Sequence, residues 1–176
     1  MSDDSHFSVE RLDPDKHRRD EFRCESLELT EFFHRRARKE MEVRASACFV
    51  LVSAVNRGRV VGFYTLSQTS VKLAELPPEL AKKLPRYPEL GATLIGRLAR
   101  DLDWKGQGIG QLLLLDALRR SLSQSQEVAA VVVVTDPKDT KAREFYTENG
   151  FVALDHRRLF IPMQRLIKWE ARGWGV

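Results

Sequence analysis

Apolar and polar positions along this chain change period several times, and each change marks an element. Phe7 to Leu12 alternates and suits a short first strand, after which Asp13-Pro14 turns the chain toward a helical region. From Ser26, a hydroxyl suited to an N-cap, Leu29, Phe32, Phe33, Ala37 and Met41 recur at helical spacing and leave Glu31, Arg35, Arg38 and Glu42 on the other side. Cys48 to Val55 and Val60 to Leu66 are rich in β-branched and aromatic residues. Asn56-Arg57-Gly58-Arg59 between them carries turn chemistry, so the pair predicts a hairpin. Pro77, Pro78, Pro85 and Pro88 make the next stretch loop, with one short helix at Glu79 to Lys83. Ala92 to Leu102 reads as a strand, Ile109 to Leu122 as a helix with a broad apolar face, and Ala129 to Val134 as a central strand buried on both faces. Thr140 to Asn149 predicts a further helix, ended by Gly150 because a residue without Cβ suits a left-handed cap. Phe151 to Ile161 then supplies a final strand pair. The tail, Met163 to Val176, fits either a docked helix or a disordered end.

A chain of 176 residues, 43% of them hydrophobic, supports one core, so the expected organisation is one domain over residues 1–162 and a tail over 163–176. The longest uncharged apolar run, Val128 to Val134, is about a third of a bilayer span, and Met1 to Phe7 lacks the basic and apolar regions of a signal peptide. No membrane association and a cytoplasmic location are therefore expected. Cys24 and Cys48 lie in different elements without metal-ligand spacing, which suits buried small hydrophobes and no metal site. The formal charge is only +4, but basic residues cluster at Lys16-His17-Arg18-Arg19, Arg35-Arg36-Ala37-Arg38-Lys39 and Lys82-Lys83 with Arg86. Such clusters suit a polyanionic partner, or else are solvated helix faces offset by Asp20, Glu21, Glu31 and Glu40; charge alone decides neither.

The candidate chemistry centres on Lys105-Gly106-Gln107-Gly108-Ile109-Gly110, placed between a predicted strand and a predicted helix. Unpaired backbone N–H groups and the positive end of a helix dipole converge there, glycines admit close approach of a phosphate, and Lys105 adds a cation. A nucleoside-triphosphate loop needs Gly-Lys-Ser/Thr at its end, whereas Gly110 is followed by Gln111-Leu112. A dinucleotide fold needs a G-x-G-x-x-G spacing and an acidic residue about 20 positions on, after the next strand, whereas the spacing here is G-x-G-x-G and the matching region is Val131 to Val134. A third arrangement, Arg/Gln-x-x-Gly-x-Gly/Ala, is matched with lysine first. Downstream, Ala142-Arg143-Glu144-Phe145-Tyr146-Thr147-Glu148-Asn149-Gly150-Phe151 carries a tyrosine shortly before Gly-Phe. Together the two segments resemble the GNAT acetyltransferase superfamily.

That resemblance implies an α/β (α+β) fold whose central mixed, mostly antiparallel sheet of about six to seven strands is flanked by about four helices and splayed at an acetyl-CoA cleft. It implies acetyl-CoA as acyl donor, with the pyrophosphate on residues 105–110, Phe145 beside the coenzyme and backbone N–H groups of Leu98, Ala99 and Arg100 polarising the thioester carbonyl. Tyr146 is then the acid for the leaving thiolate, a task that suits a phenol of pKa near about 10; Phe145 and Tyr146 packing together as core is the competing reading. No glutamate lies in Gly91 to Asp103 to act as base. An α-amine, titrating about 2.5 units below a lysine ammonium, needs less help and is the favoured acceptor.

Four further segments extend the resemblance to the branch of toxins that acetylate aminoacyl-tRNA: Phe22-Arg23-Cys24-Glu25-Ser26, Val61 to Ser67, Leu84-Pro85-Arg86-Tyr87-Pro88 and Gly96-Arg97-Leu98-Ala99. It implies an aminoacyl-tRNA substrate, a ribbon-helix-helix antitoxin and a homodimer. Arg35, Arg38, Lys39, Lys82, Lys83, Arg86 and Arg97 are the candidate tRNA contacts. Thr135-Asp136-Pro137-Lys138 and Arg100 depart from the branch's pattern. An enzyme for a small amine or a protein N-terminus, and a non-catalytic coenzyme A sensor, are the alternative readings.

Overall fold

The computed structural model describes residues 6–175; residues 1–5, on which the reading of the N-terminus largely rests, and residue 176 of the tail lie outside them. Among the described residues seven strands form one sheet in the order β1-β2-β3-β4-β5-β7-β6. They are β1 (Phe7–Arg11), β2 (Ala47–Ser53), β3 (Val60–Lys72), β4 (Glu89–Arg100), β5 (Val132–Thr135), β6 (Val152–Ala153) and β7 (Leu159–Pro162). β1 with β2, β2 with β3, β5 with β7 and β6 with β7 are antiparallel, while β4 and β5 are parallel. By internal packing the chain divides into two compact units. One comprises Gly96–Ala117 with the described residues up to Ser67, the other Gln68–Ile95 with the described residues from Leu118 on.

In the first unit the expected single helix after Ser26 is three pieces: α1 (Leu27–Glu31), a π-helical turn (Phe32–Arg36) and α2 (Ala37–Glu42). Ser26 caps as expected, its hydroxyl accepting the Leu29 N–H at 3.2 Å. The interruption follows from Phe32 and Phe33, neighbours in sequence that are both buried. Successive residues of an ordinary helix point about 100° apart, and widening one turn lets both rings reach the core. Phe33 stacks on Phe63 at 4.5 Å and Phe32 on the same ring at 6.1 Å. Cys48, Val50, Val52 and Phe22 complete this core, and burial pushes the Cys48 thiol up to about 12.

The second unit holds the larger departures. β3 runs on past Leu66 to Lys72 through Ser67, Gln68, Thr69 and Ser70, where only one face is covered and the apolar signal fades. The expected strand from Ala129 begins only at Val132; just before it the chain passes close to Gly91, where a Cβ would stand 2.8 Å from the Ala129 carbonyl oxygen. It ends one residue later than expected, on the buried hydroxyl of Thr135. The short helix α3 is Pro78–Ala81, and the final pair is β6 and β7. The tail is helical, α6 (Met163–Ala171), with Met163 and Leu166 buried and Trp169 lying over Gly150. No helix of the described residues is long and apolar enough to cross a membrane.

Candidate functional site

The glycine loop lies in the first unit and leads into α4 (Ile109–Gln124). Its entry is fixed by Asp101, which is 2% exposed. The Asp101 carboxylate accepts the backbone N–H of Asp103 at 2.9 Å and of Arg23 at 3.0 Å, and a two-pronged approach from Arg59 at 3.1 and 3.2 Å. Gly106 and Gly108 have φ of +77° and +72°, conformations that an L side chain resists. A Cβ would meet nothing within 4 Å at Gly106 and only the Gln111 side chain, at 4.0 Å, at Gly108. The loop is thus open on its outer side. Leu112 N–H donates to Gly108 C=O at 3.2 Å as the helix begins, so the amides of Ile109, Gly110 and Gln111 precede the first such turn and aim outward from the positive end of the dipole. The geometry fits an anion. Lys105 Nζ lies 3.3 Å from Glu25, whose carboxylate also stands 3.6 Å from Arg100. No local pattern around Glu25 signals a contact across 80 residues of chain.

α4 packs over β3 at Gly62, where a Cβ would stand 2.7 Å from Leu113 and 3.0 Å from the Ala99 carbonyl oxygen. β5 pairs with β4 only as far as Ile95 opposite Thr135, while β4 continues to Arg100. Asp101 N–H donates to Val61 C=O at 2.8 Å. Alternation along the strand then turns the Ala99 amide toward β3 as well and those of Leu98 and Arg100 to the opposite edge. Of the three residues expected to polarise a carbonyl through the backbone, Leu98 and Arg100 thus turn their amides away from β3 and Ala99 turns its amide toward it.

Tyr146 belongs to the second unit, on α5 (Thr140–Glu148), whose N-cap Asp139 accepts the Ala142 N–H at 2.8 Å. Its ring stands edge-on to Phe145 at 5.3 Å and to Phe151 at 5.2 Å. Gly150, at φ +97°, turns the chain so that the Phe151 N–H returns to the Tyr146 carbonyl at 3.1 Å. Burial pushes the phenol up to about 12, against which the Thr135 hydroxyl acts. A phenol so placed is protonated at any physiological pH. Phe145 is half-buried beside it.

Residues 11–151 match the acetyltransferase (GNAT) family. The chain belongs to that family. GNAT members use acetyl-CoA as acyl donor, so this is an N-acetyltransferase, and the glycine loop's outward amides suit the coenzyme's phosphates. A Sinorhizobium fredii protein named probable toxin TacT is 28% identical over 164 residues, covering 88% of this chain and 90% of its own length. A Mycobacterium tuberculosis tRNA-acetylating toxin is 31% identical over 123 residues, covering 70% and 71%. AtaT complexed with acetyl-methionyl-tRNAfMet superposes with a TM-score of 0.85 at 25% identity, over 94% of this chain and 99% of that one. AtaTR bound with AcCoA gives 0.80 at 25% identity, over 93% and 98%.

The basic residues of this GNAT chain divide into paired and solvated. Lys16 bonds Glu10, Arg18 bonds Glu21, Arg36 bonds Glu40, Arg38 bonds Glu42 and Lys82 bonds Glu79, at 2.7 to 3.1 Å. Arg97 is half-buried with its guanidinium 3.7 Å above the Phe32 ring and 3.4 Å from Glu40, and burial lowers its pKa. Arg35, Lys39, Lys83 and Arg86 are exposed and have no ion-pair partner among the described residues.

Proposed function

We propose that this chain is a toxin that transfers acetyl from acetyl-CoA to the α-amine of aminoacyl-tRNA and thereby blocks translation. The observation that carries the reading is the 31% identity to a tRNA-acetylating toxin over a stretch containing 70% of the chain, beside this chain's own glycine loop and Tyr146 segment. The thioester supplies an acyl group already activated for attack by a neutral amine. Residues 105–110 would hold the coenzyme's pyrophosphate through backbone N–H groups and Lys105, with Phe145 beside the coenzyme. The N–H groups of Leu98 and Arg100, with Ala99 between them, would receive the carbonyl oxygen as negative charge develops on it. Tyr146 would give its proton to the departing thiolate. An α-amine, already partly neutral at pH 7, matches the absence of glutamate from Gly91 to Asp103.

Arg35, Lys39, Lys83 and Arg86 are the candidate phosphate contacts favoured by their exposure, and Arg38 and Lys82 would contribute by exchanging a surface carboxylate for a phosphate. Arg97 is assigned to shaping that surface through Phe32. A homodimer, a ribbon-helix-helix antitoxin and a cytoplasmic location belong to the same reading and rest on likeness to the toxins. The test is transfer of labelled acetyl from acetyl-CoA to bulk charged tRNA at low and moderate salt. Label on aminoacyl-tRNA that falls with salt supports the assignment; coenzyme binding with no label on tRNA moves it to a small-amine or N-terminal acetyltransferase.

A further inference from the structure

The tail helix α6 reaches back over the turn that follows Tyr146. Gly150 is covered by the far edge of the Trp169 indole, where a Cβ would stand 2.9 Å from Cη2 and 3.3 Å from Cζ2, with Ile161 of β7 at 3.7 Å. The Gly150 carbonyl oxygen accepts a hydrogen bond from Arg165 Nη1 at 2.9 Å. Arg165 and Trp169 are one helical turn apart, so both stand on the same face of α6. That helix is moored at both ends. Met163 N–H donates to the Val131 carbonyl at 2.9 Å, and Leu166 is buried. Beyond the last turn, Trp174 N–H donates to the Trp169 carbonyl at 2.8 Å. The Trp174 ring stands edge-on to Trp169 at 6.4 Å, with the Arg119 guanidinium 5.4 Å from it. Trp174 takes φ +57° to do so, a conformation that an L side chain resists.

The turn held in this way is tied directly to Tyr146. The Tyr146 carbonyl accepts the N–H groups of Asn149 and Phe151, both at 3.1 Å, and the Asn149 side chain donates to the Phe145 carbonyl at 2.7 Å. Phe151 follows Gly150 at once, is buried, and sets its ring edge-on to the Tyr146 ring at 5.2 Å. Gly150 reaches this return of the chain at φ +97°. We infer that α6 is a brace for the Tyr146 helix, with Trp169 and Arg165 as positioning residues that hold Gly150 and so fix the direction in which α5 presents the phenol, on the acid role proposed for Tyr146. Trp169 bars other positions of the Gly150 Cα, and Arg165 fixes the plane of the peptide between Gly150 and Phe151. A proton donor works only when its oxygen is aligned with the leaving atom, and a misplacement of about 1 Å costs on the order of a hundredfold in rate.

The experiment compares the wild type with Trp169→Ala, Arg165→Met, Arg165→Lys, Tyr146→Phe and the Tyr146→Phe/Trp169→Ala pair in acetyl transfer to charged tRNA, each well below its own melting temperature. Trp169→Ala is expected to lower kcat by about ten- to a hundredfold, with the acetyl-CoA KM within about twofold. Arg165→Met removes one surface hydrogen bond and should lower kcat by about two- to fivefold; Arg165→Lys keeps a donor and should recover most of that. The pair should be no slower than Tyr146→Phe alone, because Trp169 acts through the phenol. Wild-type kcat in Trp169→Ala, or an equal slowing in the Tyr146→Phe background, overturns the inference. If Trp169→Ala does not fold, Trp169→Phe, whose shorter ring lacks the atoms that lie on Gly150, takes its place under the same expectations.

A readout independent of the acceptor separates the brace from the function it serves. The chain has three tyrosines, Tyr64, Tyr87 and Tyr146, so 13Cζ-tyrosine labelling gives three resonances, and the one absent in Tyr146→Phe is that of Tyr146. It should move in Trp169→Ala while the other two stay. A helix that only added stability would lower the melting temperature on mutation and leave all three in place. If the wild type leaves aminoacyl-tRNA unlabelled, the proposed function fails, and this resonance alone then decides the brace: an unmoved Tyr146 signal overturns it.

Discussion

The Arg59 guanidinium grips the Asp101 carboxylate with two contacts, at 3.1 and 3.2 Å, and reaches Asp103 with a third at 2.9 Å. Asp101 is buried and also satisfies the N–H groups of Arg23 and Asp103, so it ties the strand end to the turn that launches the glycine loop. Removing Arg59 would leave a buried charge without its cation. Arg59→Ala is expected to lower stability by about 3 kcal/mol in urea unfolding, and to weaken acetyl-CoA binding because the loop's entry loses its anchor. Unchanged stability would mean the carboxylate is adequately held by the two amides alone.

Gly62 and Gly108 separate a packing glycine from one in the proposed coenzyme loop. At Gly62 a Cβ would collide with Leu113 and with the Ala99 carbonyl, whereas at Gly108 it would enter open space but at φ +72°. Gly62→Ala should therefore cost stability, by about 2 kcal/mol, through overpacking between α4 and the sheet. Gly108→Ala should cost about 1 kcal/mol of backbone strain yet reduce acetyl-CoA affinity by more than about tenfold, because the new methyl stands where a phosphate must approach. Calorimetric binding beside thermal melting tells the two apart.

Glu25 sits 3.3 Å from Lys105 and 3.6 Å from Arg100, holding two cations that an anionic coenzyme would also attract. Neutralising it frees them. Glu25→Gln is expected to tighten acetyl-CoA binding by about two- to fivefold, the scale of a part-exposed ion pair, with the gain shrinking as salt rises. Weaker binding in the variant would instead make Glu25 a support that orients Lys105.

These cases mark what was legible in the residues. The glycine loop, the helix after it and the Tyr146 helix with its Gly150 cap were readable because each rests on local chemistry: missing Cβ atoms, capping side chains and apolar period. The π-helical turn was not, since two adjacent phenylalanines fit a helix pattern until both are required by one core. The polar end of β3 was missed because alternation fades where one face meets solvent. In the candidate site, residue types were visible, but partners were not. Thr135 was noted only as a departure from a pattern, and its bond to Ile95 depends on a strand pairing between residues 40 apart. Arg97 read as a surface cation until the Phe32 ring was placed beneath it.

The buried phenol sets the pH behaviour. Tyr146 is held at about 12, against about 10 for an exposed tyrosine. In the acid role proposed for it, it remains protonated across the working range, so kcat/KM should rise with pH as the acceptor amine loses its proton at about pH 8 and show no alkaline fall below about pH 11. Stability follows the opposite sense. Because the folded pKa lies above the unfolded one, the folded chain binds more protons between about pH 10 and about pH 12, and this group's contribution is lost as pH rises through that window. Tyr146→Phe should lower kcat by about a hundredfold or more and flatten that alkaline loss of stability, with acetyl-CoA affinity kept.

Lys83 and Arg86 offer the cleanest test of the proposed nucleic-acid surface, since both are exposed and neither has an ion-pair partner among the described residues. A cation that touches a phosphate releases a counterion on binding, so each one lost should flatten the slope of log affinity against log salt by roughly one. Lys83→Ala and Arg86→Ala are therefore expected to raise KM for charged tRNA at low salt and reduce its salt dependence, while acetyl-CoA affinity and thermal stability stay at wild-type values. Arg97→Ala should behave differently. Its guanidinium lies on the Phe32 ring and near Glu40, so its removal should lower the melting temperature, because a half-buried stacked cation contributes packing as well as charge. Equal salt slopes in wild type and in the Lys83 and Arg86 variants would remove these two residues from the RNA surface and leave Arg35 and Lys39 as its exposed cations.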